Sequence, residues 1–153
     1  EIFKAEEKII VRQTGDRIIA TIIGANIICR KNLHIIISNE INHKFLLGIL
    51  NSKLTGFYYF QINPERGEVL AEVKKQHVEQ LPIPKNISDK QQTEIIKLVD
   101  QLLQLNKDKQ NASLPSQLEM IENRIAYTED KIDQLVYEIY GLTNEEIQLI
   151  EGK

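Results

Sequence analysis

The side chains best suited to chemistry in this chain are basic and amide groups gathered at turns and strand ends. Arg12, Gln13 and Arg17 surround Gly15, and Arg30, Lys31 and Asn32 lead into an apolar run. Lys53, Arg66, Lys74 and Lys75 follow. Arg pairs bidentately with guanine edges in the DNA major groove, Asn and Gln with adenine edges, and Lys mostly meets phosphate. The candidate nucleic-acid contacts are therefore Arg12, Gln13, Arg17, Arg30, Lys31, Asn32 and Lys53, with Arg66, Lys74 and Lys75 on phosphate. Ordinary solvated loops use the same residue types.

Other constellations carry less. Glu72-Val73-Lys74, with Glu65 upstream, has the Glu-x-Lys form of a metal-dependent nuclease core. Such a core needs further carboxylates around the ion, and no upstream Asp on a clear strand completes it. A solvated strand face explains the tripeptide as well. Asn63-Pro64-Glu65-Arg66 lacks the second proline and the aromatic residue that would hold a flipped base, and reads as a turn. His34, His43, His77 and Cys29 show no metal-ligand spacing, and His34 on a strand suits a hydrogen-bonding role. In Phe57-Tyr58-Tyr59-Phe60, helical spacing sends Phe57 and Phe60 to the core and leaves Tyr58 and Tyr59 for contact.

The elements that must position these groups fall on two sides of Gln80-Leu81-Pro82-Ile83-Pro84-Lys85. Each proline fixes its own φ and biases the residue before it toward extended backbone, so this segment is a stiff joint. Before it, Lys8–Arg12 and Arg17–Ile23 are β-branched runs around Gln13-Thr14-Gly15-Asp16, the pattern of a hairpin. A third strand is expected near Leu33–Ile37. Asn42 caps an apolar helix running to about Tyr59, and Glu68–Val73 alternates as a strand. Lys75–Gln80 is one helical turn.

After the joint the texture changes. Ser88 caps a helix with Ile95, Leu98, Leu102 and Leu105 on one stripe, and the polar residues Asn106–Ser113 break it. Leu114, Leu118, Ile121, Ile125, Thr128, Ile132, Leu135 and Ile139 then recur at 4-3-4-3-4-3-4, a heptad seam with one polar member. Gly141 stops that helix, and Thr143 with Glu146 forms a capping box for a short last one.

Net charge is −3 over 153 residues, but residues 1–85 carry +3 and residues 86–153 carry −6. A polyanion would meet the front part. One cysteine, Cys29, permits no internal disulfide and fits a reducing cytoplasm. No run of apolar residues spans a membrane. The only methionine is Met120, which suggests a piece from the C-terminal side of a longer protein.

Four stretches in order resemble the TaqI-like C-terminal specificity domain of restriction-modification enzymes that combine methyltransferase and nuclease (type IIG). They are Lys8–Thr21, Asn32–Ile36, Leu47–Leu54 and Glu79–Pro84. The ending, Ile132–Ile147, is similar to the end of these enzymes and of type I specificity subunits. The resemblance implies double-stranded DNA as partner, read by a target recognition domain ahead of a helical spacer. It also implies upstream domains on the same polypeptide that modify adenine with S-adenosylmethionine and cleave with Mg²⁺. Neither cofactor is expected in residues 1–153, and no catalytic residue is. The family's base-reading residues vary with the target, so none is carried over.

The expectation is therefore an α+β chain. A small mixed sheet with a packed helix forms a DNA target recognition domain over residues 1–85, incomplete on its N-terminal side. An antiparallel two-helix hairpin spacer follows over residues 86–153. The alternative is a protein-interaction module that docks through the hairpin and binds no DNA.

Overall fold

The computed structural model describes residues 4–152. Three strands, β1 (Glu7–Arg12), β2 (Ala20–Gly24) and β3 (Leu33–Ile36), form a sheet in the order β2-β1-β3. Both ladders are antiparallel, in place of the mixed sheet expected, because β2 and β3 each run back along opposite edges of β1. On β1, Ile9 and Val11 are wholly buried, and this face lies on the core. The hairpin between β1 and β2 is present, but its connection runs over residues 13–19 rather than four residues.

Helix α1 (His43–Leu50) starts where Asn42 Oδ1 accepts the N–H groups of Lys44 and Phe45 at 2.9 and 3.2 Å. The single helix expected from Asn42 to about Tyr59 is broken in two. Ser52 caps a new helix, α2 (Lys53–Ile62), and its Oγ accepts the Thr55 N–H at 3.2 Å. Asn51, at the break, donates from Nδ2 to Ala20 O and accepts the Ala20 N–H on Oδ1, both at 2.9 Å. Its amide thus serves β2 in place of a neighbouring strand. The break also resets helical phase: Tyr59 is buried in the core, whereas Phe60 is 45 % exposed. Both are the reverse of the sequence expectation.

Glu68–Val73 is not a strand. Residues 63–71 are spent in consecutive turns, closed by Arg66 N–H to Asn63 O, Glu68 N–H to Glu65 O and Ala71 N–H to Glu68 O. Only the pairing of Thr14 with Glu72 remains. Helix α3 (Lys75–Val78) is the expected single turn.

Beyond the proline joint, α4 (Asp89–Asn111) opens with a capping box of Ser88 and Gln91. It continues through the polar stretch expected to end it. Lys and Gln are good helix formers, and Lys109 there pairs with Glu122 across the hairpin at 2.8 Å. Helix α5 (Pro115–Tyr140) returns antiparallel and stops at Gly141, φ +66°. Helix α6 (Asn144–Glu151) carries the predicted capping box of Thr143 and Glu146. Thr128, the polar member of the seam, is buried with its hydroxyl donating to Arg124 O at 2.8 Å.

One core joins the sheet, α1 and the hairpin through Ile9, Val11, Phe45, Ile49, Ile95, Val99, Ile132 and Val136. At Gly48 the hairpin lies directly on α1: a Cβ there would stand 2.7 Å from Ile95 Cγ2 and 3.2 Å from Val99 Cγ2. The joint is held as well, since the Tyr140 hydroxyl at the end of α5 donates to Pro82 O. Burial pushes that phenol up to about 12.

Candidate nucleic-acid interface

The sheet ends at Arg12 on one side and begins β3 at Leu33 on the other, and these two residues are directly paired. That pairing brings the first two candidate segments together. The Gln13 N–H donates to Asn32 O at 3.0 Å, and the Leu33 N–H to Arg30 O at 3.3 Å, which folds Arg30-Lys31-Asn32 into a turn beside Gln13. The third segment docks on the same end. Val73 N–H donates to Gln13 O at 2.6 Å, Gly15 N–H to Ala71 O at 2.9 Å, and His34 Nε2–H to Val73 O at 2.5 Å. His34 is thus the hydrogen-bonding residue its strand position suggests.

Not all ten candidates are equally available. Arg12, Arg17, Arg30 and Lys31 are exposed and form no ion pair among the described residues. Gln13 Nε2 touches Glu72 Oε2 at 3.4 Å, and Asn32 is exposed. Arg66 lies over the Phe60 ring, 4.8 Å from its centroid, with both side chains exposed. Lys75 meets Glu79 at 3.5 Å on the surface. Lys74 is bound by Glu65 Oε1, while Glu65 Oε2 accepts the Glu72 N–H at 3.0 Å. These contacts hold the Glu65 carboxyl below its usual range, Lys74 foremost, and raise Lys74. Glu65 is therefore a staple across the 65–74 loop with both oxygens used. The nuclease reading of Glu72 and Lys74 loses its strand and its free ammonium together.

Lys53 stands apart. Its ammonium pairs with Asp130 at 2.8 Å and Asp133 at 3.5 Å on α5, and its own N–H donates to Asp133 Oδ1 at 2.8 Å. Burial pushes the Asp133 carboxyl up against the opposing pull of Lys53, and Lys53 is itself raised, mainly by Asp130. Lys53 fastens α2 to α5 and is not part of the sheet-end set.

The gathered segments 12–17, 30–32 and 65–75 hold seven Lys or Arg against four Asp or Glu. Exposed Arg12, Arg30 and Lys31, with the amide side chains of Gln13 and Asn32, lie at this end of the sheet and are residue types suited to groove reading and phosphate contact. Beneath them Tyr59 and His77 meet edge-on, ring centroids 6.3 Å apart, and burial raises the Tyr59 phenol.

The family model described as TaqI-like C-terminal specificity domain matches residues 1–83. The chain belongs to that family. Membership assigns this specificity domain a DNA-recognition role of the kind restriction-modification enzymes use. The match ends inside the proline joint, so α4, α5 and α6 lie outside it. A search of the curated proteins finds no match.

Sequence reasoning missed Asn51, Asp133 and the Glu65 staple. Each acts through a partner distant in the chain, at separations of 31, 80 and 9 residues, and local pattern carries no trace of that. No described helix is long and apolar enough to cross a membrane.

Proposed function

We propose that this specificity domain reads a double-stranded DNA sequence through the end of its sheet. Arg12, Gln13, Arg17, Arg30, Lys31 and Asn32 face the bases, and Arg66 and Lys75 lie along phosphates. Lys53 and Lys74 are left out of the set because their charge is spent, on α5 and on Glu65 respectively. The reading directs adenine methylation and cleavage by domains upstream on the parent polypeptide, which bring S-adenosylmethionine and Mg²⁺. The observation that carries it is the convergence of Arg12-Gln13 and Arg30-Lys31-Asn32 across the pairing of Arg12 with Leu33, with their three cations unpaired among the described residues.

Fluorescence anisotropy of the 153-residue chain with a duplex pool at several salt concentrations tests this. Affinity falls steeply with salt, and each phosphate-contacting cation replaced by Gln lowers the log–log slope by about one. Gln13→Ala and Asn32→Ala instead relax the sequences selected from the pool and leave the slope in place. Binding that is absent, or indifferent to salt, refutes the proposal and favours a protein-docking module.

A further inference from the structure

Val69 and Leu70 are the most exposed large apolar residues described, at 99 % and 88 %. A single exposed apolar side chain is unremarkable, but two in sequence at the tip of a turn are not. Turn centres favour Gly, Asn, Asp, Pro and Ser, because their backbones or short polar side chains suit the geometry. Here Val69 and Leu70 are the two central residues of a turn closed by Ala71 N–H to Glu68 O at 3.3 Å.

The turn is pinned on both sides. Gly15 N–H donates to Ala71 O at 2.9 Å, and Glu72 N–H to Glu65 Oε2 at 3.0 Å. Gly67, at φ +76°, adopts the backbone a side chain would resist and turns its N–H toward Asp16 Oδ2 at 3.4 Å. The two apolar side chains are thus held out on a fixed mount beside the loop that carries Arg12 and Arg17. A mount of this kind lowers the ordering cost of a contact made later.

We infer that Val69 and Leu70 are an apolar probe that contacts the bases of the bound duplex. The inference rests on the DNA-reading function proposed above. The occupant follows from position. The bond from Gly15 N–H to Ala71 O that holds the turn lies beside the bond from Val73 N–H to Gln13 O, so the turn is continuous with the sheet end. Arg66 precedes it and Lys75 follows it, so phosphates drawn to those cations bring a groove to the tip. Apolar side chains in a groove touch thymine methyls or press into base steps, and neither contact changes the number of phosphates neutralised. The probe therefore adds affinity for the target without adding salt dependence.

The test is the paired substitution Val69→Ser with Leu70→Ser in the full chain, measured by anisotropy on a duplex selected by the wild type, across a salt series. The expected result is binding about thirtyfold weaker at every salt concentration, from loss of two apolar side chains partly buried against the duplex, with the log–log slope unchanged. Leu70→Met, which keeps an apolar tip, retains most of the affinity. Both side chains lie in solvent, so melting temperature stays at the wild-type value and a folding defect is separable. Unchanged affinity in the doubly substituted chain overturns the inference and assigns the turn to contact with another protein surface. A loss accompanied by a shallower slope also overturns it, because the turn would then act through neighbouring phosphate contacts. If the wild-type chain shows no salt-sensitive binding, the DNA-reading function fails and this inference with it.

Discussion

Replacing Gly48 by Ala inserts one methyl group where α1 meets α4 and α5. Helix propensity alone predicts a gain of about 1 kcal/mol, since Ala is the better helix former. Packing opposes it. The new Cβ would lie 2.7 Å from Ile95 Cγ2, 3.2 Å from Val99 Cγ2 and 3.7 Å from Ile132 Cγ2. Ile95 is wholly buried and Val99 is 2 % exposed, so neither can swing into solvent. The helices must separate by several tenths of an ångström, and overpacking of this kind costs roughly 1–3 kcal/mol. The clash outweighs the propensity, and Gly48→Ala is expected to destabilise the chain by about 1 kcal/mol.

Gly56 supplies the control. It sits inside α2, and a Cβ there meets nothing within 4 Å. Gly56→Ala keeps the propensity gain without the clash, so it is expected to stabilise by up to about 1 kcal/mol. Urea denaturation of the two variants and the wild type gives the comparison. The shared core also predicts one cooperative transition, because residues of the sheet, α1 and the hairpin pack in a single cluster. A Gly48→Ala chain as stable as the Gly56→Ala chain would refute the close packing of the hairpin on α1.

Two further substitutions probe the ion pairs. Lys53→Met removes the ammonium from Asp130 and Asp133; half-exposure of Lys53 limits the cost to about 1 kcal/mol, and anisotropy should show DNA affinity unaltered. The Glu65 carboxyl, held below its usual 4.5 by Lys74 and the Glu72 N–H, binds fewer protons folded than unfolded. Its contribution to stability is therefore present above the unfolded value and is lost as pH falls through the folded one, so Glu65→Gln flattens the acid limb of a stability–pH profile below roughly pH 4.5.

Periodicity and caps made much of this fold legible. The β-branched runs at Lys8–Arg12 and Leu33–Ile36 became strands, and Ser88, Thr143 and Gly141 end or begin helices as their types require. Local pattern failed where a tertiary bond decides. The apolar spacing from Phe45 to Phe57 fits one helix, but Asn51 leaves that helix to serve Ala20. The alternation in Glu68–Val73 fits a strand, but the turns before it and the Glu65 staple take up its backbone. At the candidate interface, residue types alone picked out segments 12–13 and 30–32, which the pairing of Arg12 with Leu33 brings side by side. They also admitted Lys53, whose carboxylate partners lie 77 and 80 residues away.

The charge balance acquires a different meaning once these partners are known. A front part of only +3 looks weakly basic for a DNA reader. Yet the acidic hairpin takes up particular front-part lysines: Lys44 pairs with Asp100 at 2.6 Å and Lys53 with Asp130 and Asp133. Those pairs join two parts of the chain and leave the sheet-end arginines alone. Arg12, Arg17 and Arg30 are exposed and form no ion pair among the described residues. Net charge averages these two uses of basic residues. Under the DNA-reading function proposed above, the division between cations that bind the spacer and cations left unpaired directs a duplex toward the end of the sheet.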